Sequence, residues 1–525
     1  KAIGDFDKAI ELNPKDATAL NSRGQVLADQ KEWDKAIEDF DTAIKLNSKF
    51  YEAFCNRGSA YVSQGELEEA VKDFDAAIKL DDQNALGHLL RARLNARTDV
   101  DKAIVDLDTA ISRKSDYVEA HVLRSQLRLR KSQWDQAIAD CNKVLKLQPK
   151  NADAHLARGM ALNGKGQYDN AIKDLDWIDE QKGKDAAPAA TRADAFANRS
   201  FSYYQKGEYL TAIDSAYFAL LVKGDHSQAH NYRAMAYIAR SQYDKAIGSL
   251  NRAIQFNPEF AEAYSNRGYA YGAKNKFDKS LSDLNKAIEL QPQLAVAFQR
   301  RGLAYLGKGD VEQALKDLDE SLRLKADSAD ALCDRGFVHG LNRDMKKAMA
   351  DLDKAIRLKP KLSKAHFRRG LAFLTQGDHD KAIECFNEAI RLKEDHAESF
   401  CFRAFAYHAK ENFDQALKDF NQAVKLNPGF GKAYYGRSLT FRKLTMKSEA
   451  DADLDKAIEL DPVIAKANPR RRSKSKPAKK PAVAKTEEPP PRFLVSSKGV
   501  DPQGLSRALT SARMIDVLVE ANYKK

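Results

Sequence analysis

Residues 261–294 read AEAYSNRGYAYGAKNKFDKSLSDLNKAIELQPQL, and residues 295–328 read AVAFQRRGLAYLGKGDVEQALKDLDESLRLKADS. The two stretches are equally long and keep the same kinds of residue in step. Asn266-Arg267-Gly268 answers Arg301-Gly302, and the pattern returns far upstream at Asn56-Arg57-Gly58, followed in step by Asp-Leu-Asn with Ala-Ile at 283–288, Asp-Leu-Asp with Ser-Leu at 317–322 and Asp-Phe-Asp with Ala-Ile at 73–78. Working outward at a period of 34 gives thirteen units, starting at Ala17, Tyr51, Ala85, Val118, Ala152, Ala193, Ser227, Ala261, Ala295, Ala329, Ser363, Ala397 and Gly431. A fixed period of this length is the signature of a stacked repeat architecture rather than of several globular domains.

Within a unit two helical patterns are separated by a turn. Positions 4, 8 and 11 make one apolar stripe, such as Tyr264, Gly268 and Tyr271. Positions 20, 24 and 27 make another, such as Ala36, Phe40 and Ala43. The spacing is that of one helix face, with small residues where backbones must approach and large ones filling the gaps. Gly65, Gly166, Gly207, Gly309 and Gly377 mark the turn between helices, and Pro14, Pro149, Pro258, Pro292, Pro360, Pro428 and Pro462 stop the second helix. Helices this short are marginal alone, so stacking must stabilise them.

This combination of small residues at 8, 20 and 27, large ones at 4, 11 and 24 and proline at 32 resembles the tetratricopeptide (TPR) repeat over residues 1–464. The resemblance implies an all-α, right-handed α-solenoid of about thirteen helix-turn-helix units whose concave groove binds a peptide or a segment of a partner protein. The expected organisation is a partial repeat over residues 1–16 (second helix only) and units 1–5 over 17–178. An insertion or extended helix follows at 179–192, and then units 6–13 over 193–464.

One feature departs from the family. Position 7, usually apolar there, is Arg in all thirteen units and falls on the buried stripe, while position 23 on the second helix is Asp in ten of them. A buried charge needs a partner. The expectation is an Arg–Asp ladder, including Arg57 with Asp73, Arg267 with Asp283, Arg301 with Asp317 and Arg335 with Asp351. The alternative is that the arginines line a ligand face.

Position 9 lies off the packing stripe. It is polar in the first four units and apolar from there on: Met160, Phe201, Met235, Tyr269, Leu303, Phe337, Leu371, Phe405 and Leu439. Such a track suits a bound peptide if it is open, and packs between neighbouring helices if it is covered. Position 5 holds no Lys for a carboxylate clamp, and position 6 is Asn only in Asn56, Asn198 and Asn266, so two known TPR sub-functions are disfavoured.

No catalytic, metal or cofactor site is expected. His226 and His230 straddle a repeat junction. His121, His155, His230 and His366 occupy the packing position 4. Cys385, His396 and Cys401 come from two units, and the glycines at Gly164 and Gly166 lack the strand that a phosphate loop needs. The five cysteines show no CxxC spacing, which fits a reducing, cytoplasmic compartment. The chain opens inside a repeat, so we expect a missing front, and secretion stays open. No run is long and apolar enough to span a membrane.

The net charge of +12 resides in the tail: residues 465–525 hold 15 Lys and Arg against 5 Asp and Glu, leaving 72 against 70 elsewhere. Residues 465–491 read as a disordered basic, Pro-rich linker, in which Arg470, Arg471, Arg472, Lys474, Lys476, Lys479 and Lys480 could meet phosphates of nucleic acid or an anionic membrane. In the segment 492–525 a helix is expected over about 503–521, capping the array or docking on a partner. The leading functional reading is a protein-interaction scaffold and not an enzyme, of open oligomeric state. The alternatives are a tail-tethered nucleic-acid or anionic-surface protein, and the regulatory arm of an enzyme lying upstream.

Overall fold

The computed structural model describes residues 2–462 and 464, apart from 182, 184 and 185. These residues form twenty-seven α-helices, with no strand among those described. The basic linker at 465–491, with Arg470 to Lys480, and the expected helix at 503–521 lie outside the described residues. The fold is an α-solenoid of helix pairs, and among the described residues no helix is long and apolar enough to cross a membrane.

The unit at Ala261 shows how one repeat is built. Its first helix runs Ala261–Ala273 and its second Phe277–Leu290. Between them Asn275 takes the left-handed conformation, at φ +61°. Every unit but one places a left-handed residue at this point, whether Gly65, Gly309 and Gly377 or Lys31, Ser132, Glu411 and Thr445. The left-handed residue reverses the chain sharply and lets the second helix fold back. The exception is the unit at Ala85, one residue shorter: its first helix ends at Asn95, Ala96 stays right-handed, and Asp99 caps the next helix by accepting from the Lys102 N–H.

The second helix buries one stripe and exposes the rest. Phe40, Phe74, Phe386 and Phe420 are wholly buried at position 24, each contributing about 2–3 kcal/mol by transfer from water. Position 8 of the first helix must be small to admit that ring: a Cβ on Gly58 would stand 2.6 Å from the Phe74 ring. Close approach of the two backbones is what makes the pair compact.

The array divides into two compact units, Lys1–Arg240 and Ser241–Lys525. The division falls between the two helices of the repeat at Ser227, not at the insertion expected at 179–192. The physical reason lies in how the insertion is used. Tyr168–Glu180 precedes it, and the next first helix begins early, at Ala189, running to Gln205. Ala187 joins Leu175, Ile178 and Ala195 in one apolar cluster, so packing carries on through this stretch. In the second unit, the largest cluster gathers Phe367, Phe386, Phe402, Phe405, Phe420 and Phe430 from successive repeats.

Candidate partner-binding cleft

The position-7 arginines are committed inside the array. Arg57 donates from Nε and Nη2 to the two oxygens of Asp73 at 2.9 and 2.6 Å, and from Nη1 to Asp41 of the preceding repeat at 2.5 Å. Arg267 grips Asp283, Arg301 grips Asp317 and Arg335 grips Asp351 in the same side-on way, at 2.7–2.8 Å. Their Nη1 atoms reach back to Asn251, Asn285 and Asp319. Each guanidinium therefore ties its own second helix to that of the unit before, with bidentate geometry that lysine cannot copy. These hydrogen bonds, Asp73 foremost, outweigh burial and push the Arg57 guanidinium further above its ordinary range. An aromatic at position 4 often lies alongside, as Tyr264 does 5.4 Å from Arg267. Three units, those without Asp at position 23, depart from the pattern, and in one of them Arg233 Nη2 meets His230 Nδ1 at 3.3 Å. Arg369 meets Cys385 Sγ at 3.3 Å, and Arg199 lies over the Phe196 ring at 4.7 Å and reaches only Asp176.

The position-9 track does not behave as one surface. In the second unit Phe337, Leu371 and Phe405 are buried, and an open track through them is excluded. The following repeat covers Phe337, and Leu371 and Phe405 are covered by the rings clustered around them. The Arg368 guanidinium sits over Phe337 at 4.5 Å, and Leu371 and Phe405 pack into the Phe367–Phe430 cluster, with Phe405 edge-on to Phe420 at 5.1 Å. Tyr269, Leu303 and Leu439 are half-buried, with Arg300 over Tyr269 at 5.3 Å. Polar cross-links seal this face further: Asp334 accepts from Gln299 at 2.7 Å, Lys364 at 2.5 Å and Arg368 at 2.6 Å. Burial alone would raise its carboxyl, but the two cations outweigh it and hold Asp334 at about 2.

The first unit is different. Met160 is 37% exposed, and Phe201 and Met235 are half-buried. Met160 and Phe201 line a cleft of about 570 Å³ formed by four successive first helices, Val118–Arg130, Ala152–Gly164, Ala189–Gln205 and Ser227–Ala239. Its apolar wall comprises Trp134, Leu156, Met160, Phe201 and Tyr232, and its polar rim includes Gln126, Arg130, Asp153 and Asn198. The volume falls in the ordinary range of ligand-binding clefts.

Local sequence explains the opening. Trp134, the first residue of a second helix, leans across Gly164, where a Cβ would lie 2.6 Å from the indole. Asn163 is buried and fixed, donating to the Asn198 carbonyl at 3.2 Å and accepting from Ser202 Oγ at 2.7 Å. Phe201 rests against Tyr232 with ring centroids 5.2 Å apart. Trp134, Gly164 and Tyr232 stand at positions 17, 13 and 6 of their repeats, off the position-9 track that the sequence pattern marks.

The histidines and cysteines serve the fold. His121, His155, His230 and His366 each bring Nε2 to the backbone carbonyl six residues earlier, at Ser115, Pro149, Gly224 and Pro360. His226 caps the following helix, accepting at Nδ1 from the Ala229 N–H at 3.1 Å, while its Nε2 meets Asp194 at 2.8 Å, so both ring nitrogens are engaged. Cys401 is fully buried, and His396 faces Ser399 Oγ at 2.6 Å. All five cysteines are buried as free thiols, and burial pushes Cys55 up to about 12 and Cys141 to about 11.

A stacked helical-repeat scaffold with a cleft on its first helices is the class of protein these features define. Models of the tetratricopeptide repeat match residues 6–38, 51–84, 122–186, 261–294, 300–363, 363–396, 397–430 and 431–464, and a TPR-repeat model matches 24–63 and 234–275. The chain belongs to the tetratricopeptide repeat family, a family of protein-interaction scaffolds. Curated protein sequences give no match. Among solved structures it is similar to the APC/C hetero-tetramer Cut9–Hcn1, with TM-score 0.60 and 14% identity over 87% of this chain and 96% of that one. It is also similar to yeast Tom70, with TM-score 0.38 and 16% identity over 81% of this chain and 98% of that one. A tetratricopeptide repeat protein of Parabacteroides merdae gives TM-score 0.39 and 18% identity over 48% of this chain and 97% of that one.

Proposed function

We propose that the chain is a scaffold that captures an extended segment of a partner protein in the cleft of its first unit. The observation that carries this reading is the open apolar wall of Trp134, Leu156, Met160, Phe201 and Tyr232, where Met160 is exposed while Phe337, Leu371 and Phe405 at the same repeat position are buried. A bulky apolar side chain of the segment fills that wall, and the fixed amide groups around Asn163 and Asn198 satisfy its backbone. Asp153 and Arg130 lie at the rim, where unlike charges govern which segments are accepted rather than how tightly they bind. The position-7 arginines that face Asp at position 23, such as Arg57, take no part, since Asp and Asn occupy their donors.

The test is selection of displayed random peptides on the whole chain, followed by substitution. The expected peptides share a large apolar anchor. Gly164→Leu and Phe201→Glu weaken them at least about tenfold, corresponding to about 1.4 kcal/mol, while Leu439→Glu leaves them unchanged. Peptides that ignore Gly164→Leu and Phe201→Glu would place the binding face elsewhere.

A further inference from the structure

The second helix of the unit at Ala193, Tyr209–Val222, turns an apolar face to solvent. Leu210, Tyr217, Phe218 and Leu221 are 60, 51, 46 and 61% exposed. In each of the other twelve units the residues equivalent to Leu210, Tyr217 and Leu221 are polar or charged. The exchange weakens the repeat itself. Tyr217 stands where the other units carry the Asp or Asn that bridges repeats, and Ser215 stands where ten carry the Asp that grips arginine. Arg199 Nε is left buried without an acceptor. A helix that gives up internal ion pairs and exposes four large apolar side chains presents a contact surface.

We propose that this face pairs with the same face of a second copy of the chain, the two 209–222 helices lying antiparallel about a two-fold axis between residues 215 and 216. Leu210, Asp214, Tyr217 and Leu221 are spaced four, three and four apart, the seam of a two-stranded coiled coil. Leu210 and Leu221 are equidistant from the axis, and so are Asp214 and Tyr217. An antiparallel pair therefore sets Leu210 against the partner's Leu221, and the Tyr217 hydroxyl donates to the partner's Asp214. A face that answers its own charges and hydrogen bonds under a two-fold is what an isologous dimer requires. The seam is only about 17 Å long, so the pair belongs with the small, transient contacts that bury less than about 1,200 Å². The two Asp214 carboxylates also stand about 5 Å apart along it, so dissociation constants on the order of tens of micromolar follow.

Sedimentation equilibrium of the whole chain tests the pairing. Monomer at about 1 µM and growing dimer toward about 100 µM are expected. Leu221→Glu keeps the chain monomeric with unchanged helix content, and Asp214→Asn tightens the dimer several-fold. Leu210→Cys mixed with Leu221→Cys gives a disulfide-linked dimer on oxidation, while neither variant links alone, because like positions lie about 16 Å apart. The native cysteines, all buried, stay out of the reaction. Monomer at every concentration, including monomer that results from the chain's own 503–521 segment covering the face, overturns the proposal. So does a dimer unmoved by Leu221→Glu, or linkage of Leu210→Cys to itself.

Discussion

Arg335 holds Asp351 side-on, Nε and Nη2 each 2.7–2.8 Å from a separate carboxylate oxygen, while its third nitrogen reaches the preceding repeat at Asp319. One side chain thus closes a repeat and joins it to its neighbour. Removing it leaves a carboxylate buried without its counter-charge, a cost that exceeds the value of the pair. Arg335→Met should lower hydrogen-exchange protection in Ala329–Leu341 and Met345–Leu358 by about 2 kcal/mol. The effect falls below that of a fully buried pair, because a quarter of the Arg335 side chain is exposed. Arg335→Met with Asp351→Leu should recover most of the loss. Local exchange is the right readout, since long arrays do not unfold in one step.

Thr445 adopts φ +61° in the turn of the last repeat. A β-branched residue is poorly suited to this region, and glycine enters it freely. Thr445→Gly should raise local stability by about 1 kcal/mol. Equal or lower protection in Lys447–Leu460 would contradict this.

Asp334 sits under Lys364 and Arg368 with its carboxyl held at about 2, below the ordinary 3.8. A carboxyl depressed in the folded state stabilises fully above its unfolded pKa, and that contribution is lost as pH falls through the folded value. The array should therefore lose about 2 kcal/mol between about pH 4 and pH 2 through this group. Asp334→Asn should flatten that part of the profile. At neutral pH it should cost about 3 kcal/mol by leaving Arg368 buried beside a neutral amide.

His408 is buried edge-on to Phe413, with Nδ1 2.9 Å from Thr440 Oγ1. Thr440 spends its own proton on the Gly436 carbonyl, so it accepts from a neutral imidazole. Burial, reinforced by Lys443, pushes His408 down to about 4 from 6.5. Its contribution is complete above pH 6.5 and fades as pH falls to about 4, amounting to about 3 kcal/mol. Thermal melts of His408→Leu should show a shallower decline over that window than the parent chain.

The repeat was legible because its signals recur. Arg at position 7 and Asp at position 23 are each weak hints alone, but thirteen and ten occurrences in register point to a pair. The bridging Asp or Asn, such as Asp41 and Asn251, recurred just as often. It reads as a solvated face because only the stacked structure brings it to the next repeat's arginine. The cleft was half legible. Met160 and Phe201 carry the right spacing, but so do Phe337 and Phe405, and exposure depends on what the following repeat lays over them. Arg368 covers Phe337, whereas Asn198 and Tyr232 leave the cleft beside Met160 and Phe201 open. Nothing in a single helix encodes that difference.

The central claim is that partner segments enter the cleft at Trp134. The chain has three tryptophans, and Trp33→Phe with Trp177→Phe leaves Trp134 as the single reporter. Titrating a selected peptide into that variant should shift Trp134 emission to shorter wavelength and saturate with the same affinity that calorimetry gives. Full binding by calorimetry with unchanged Trp134 emission would contradict it.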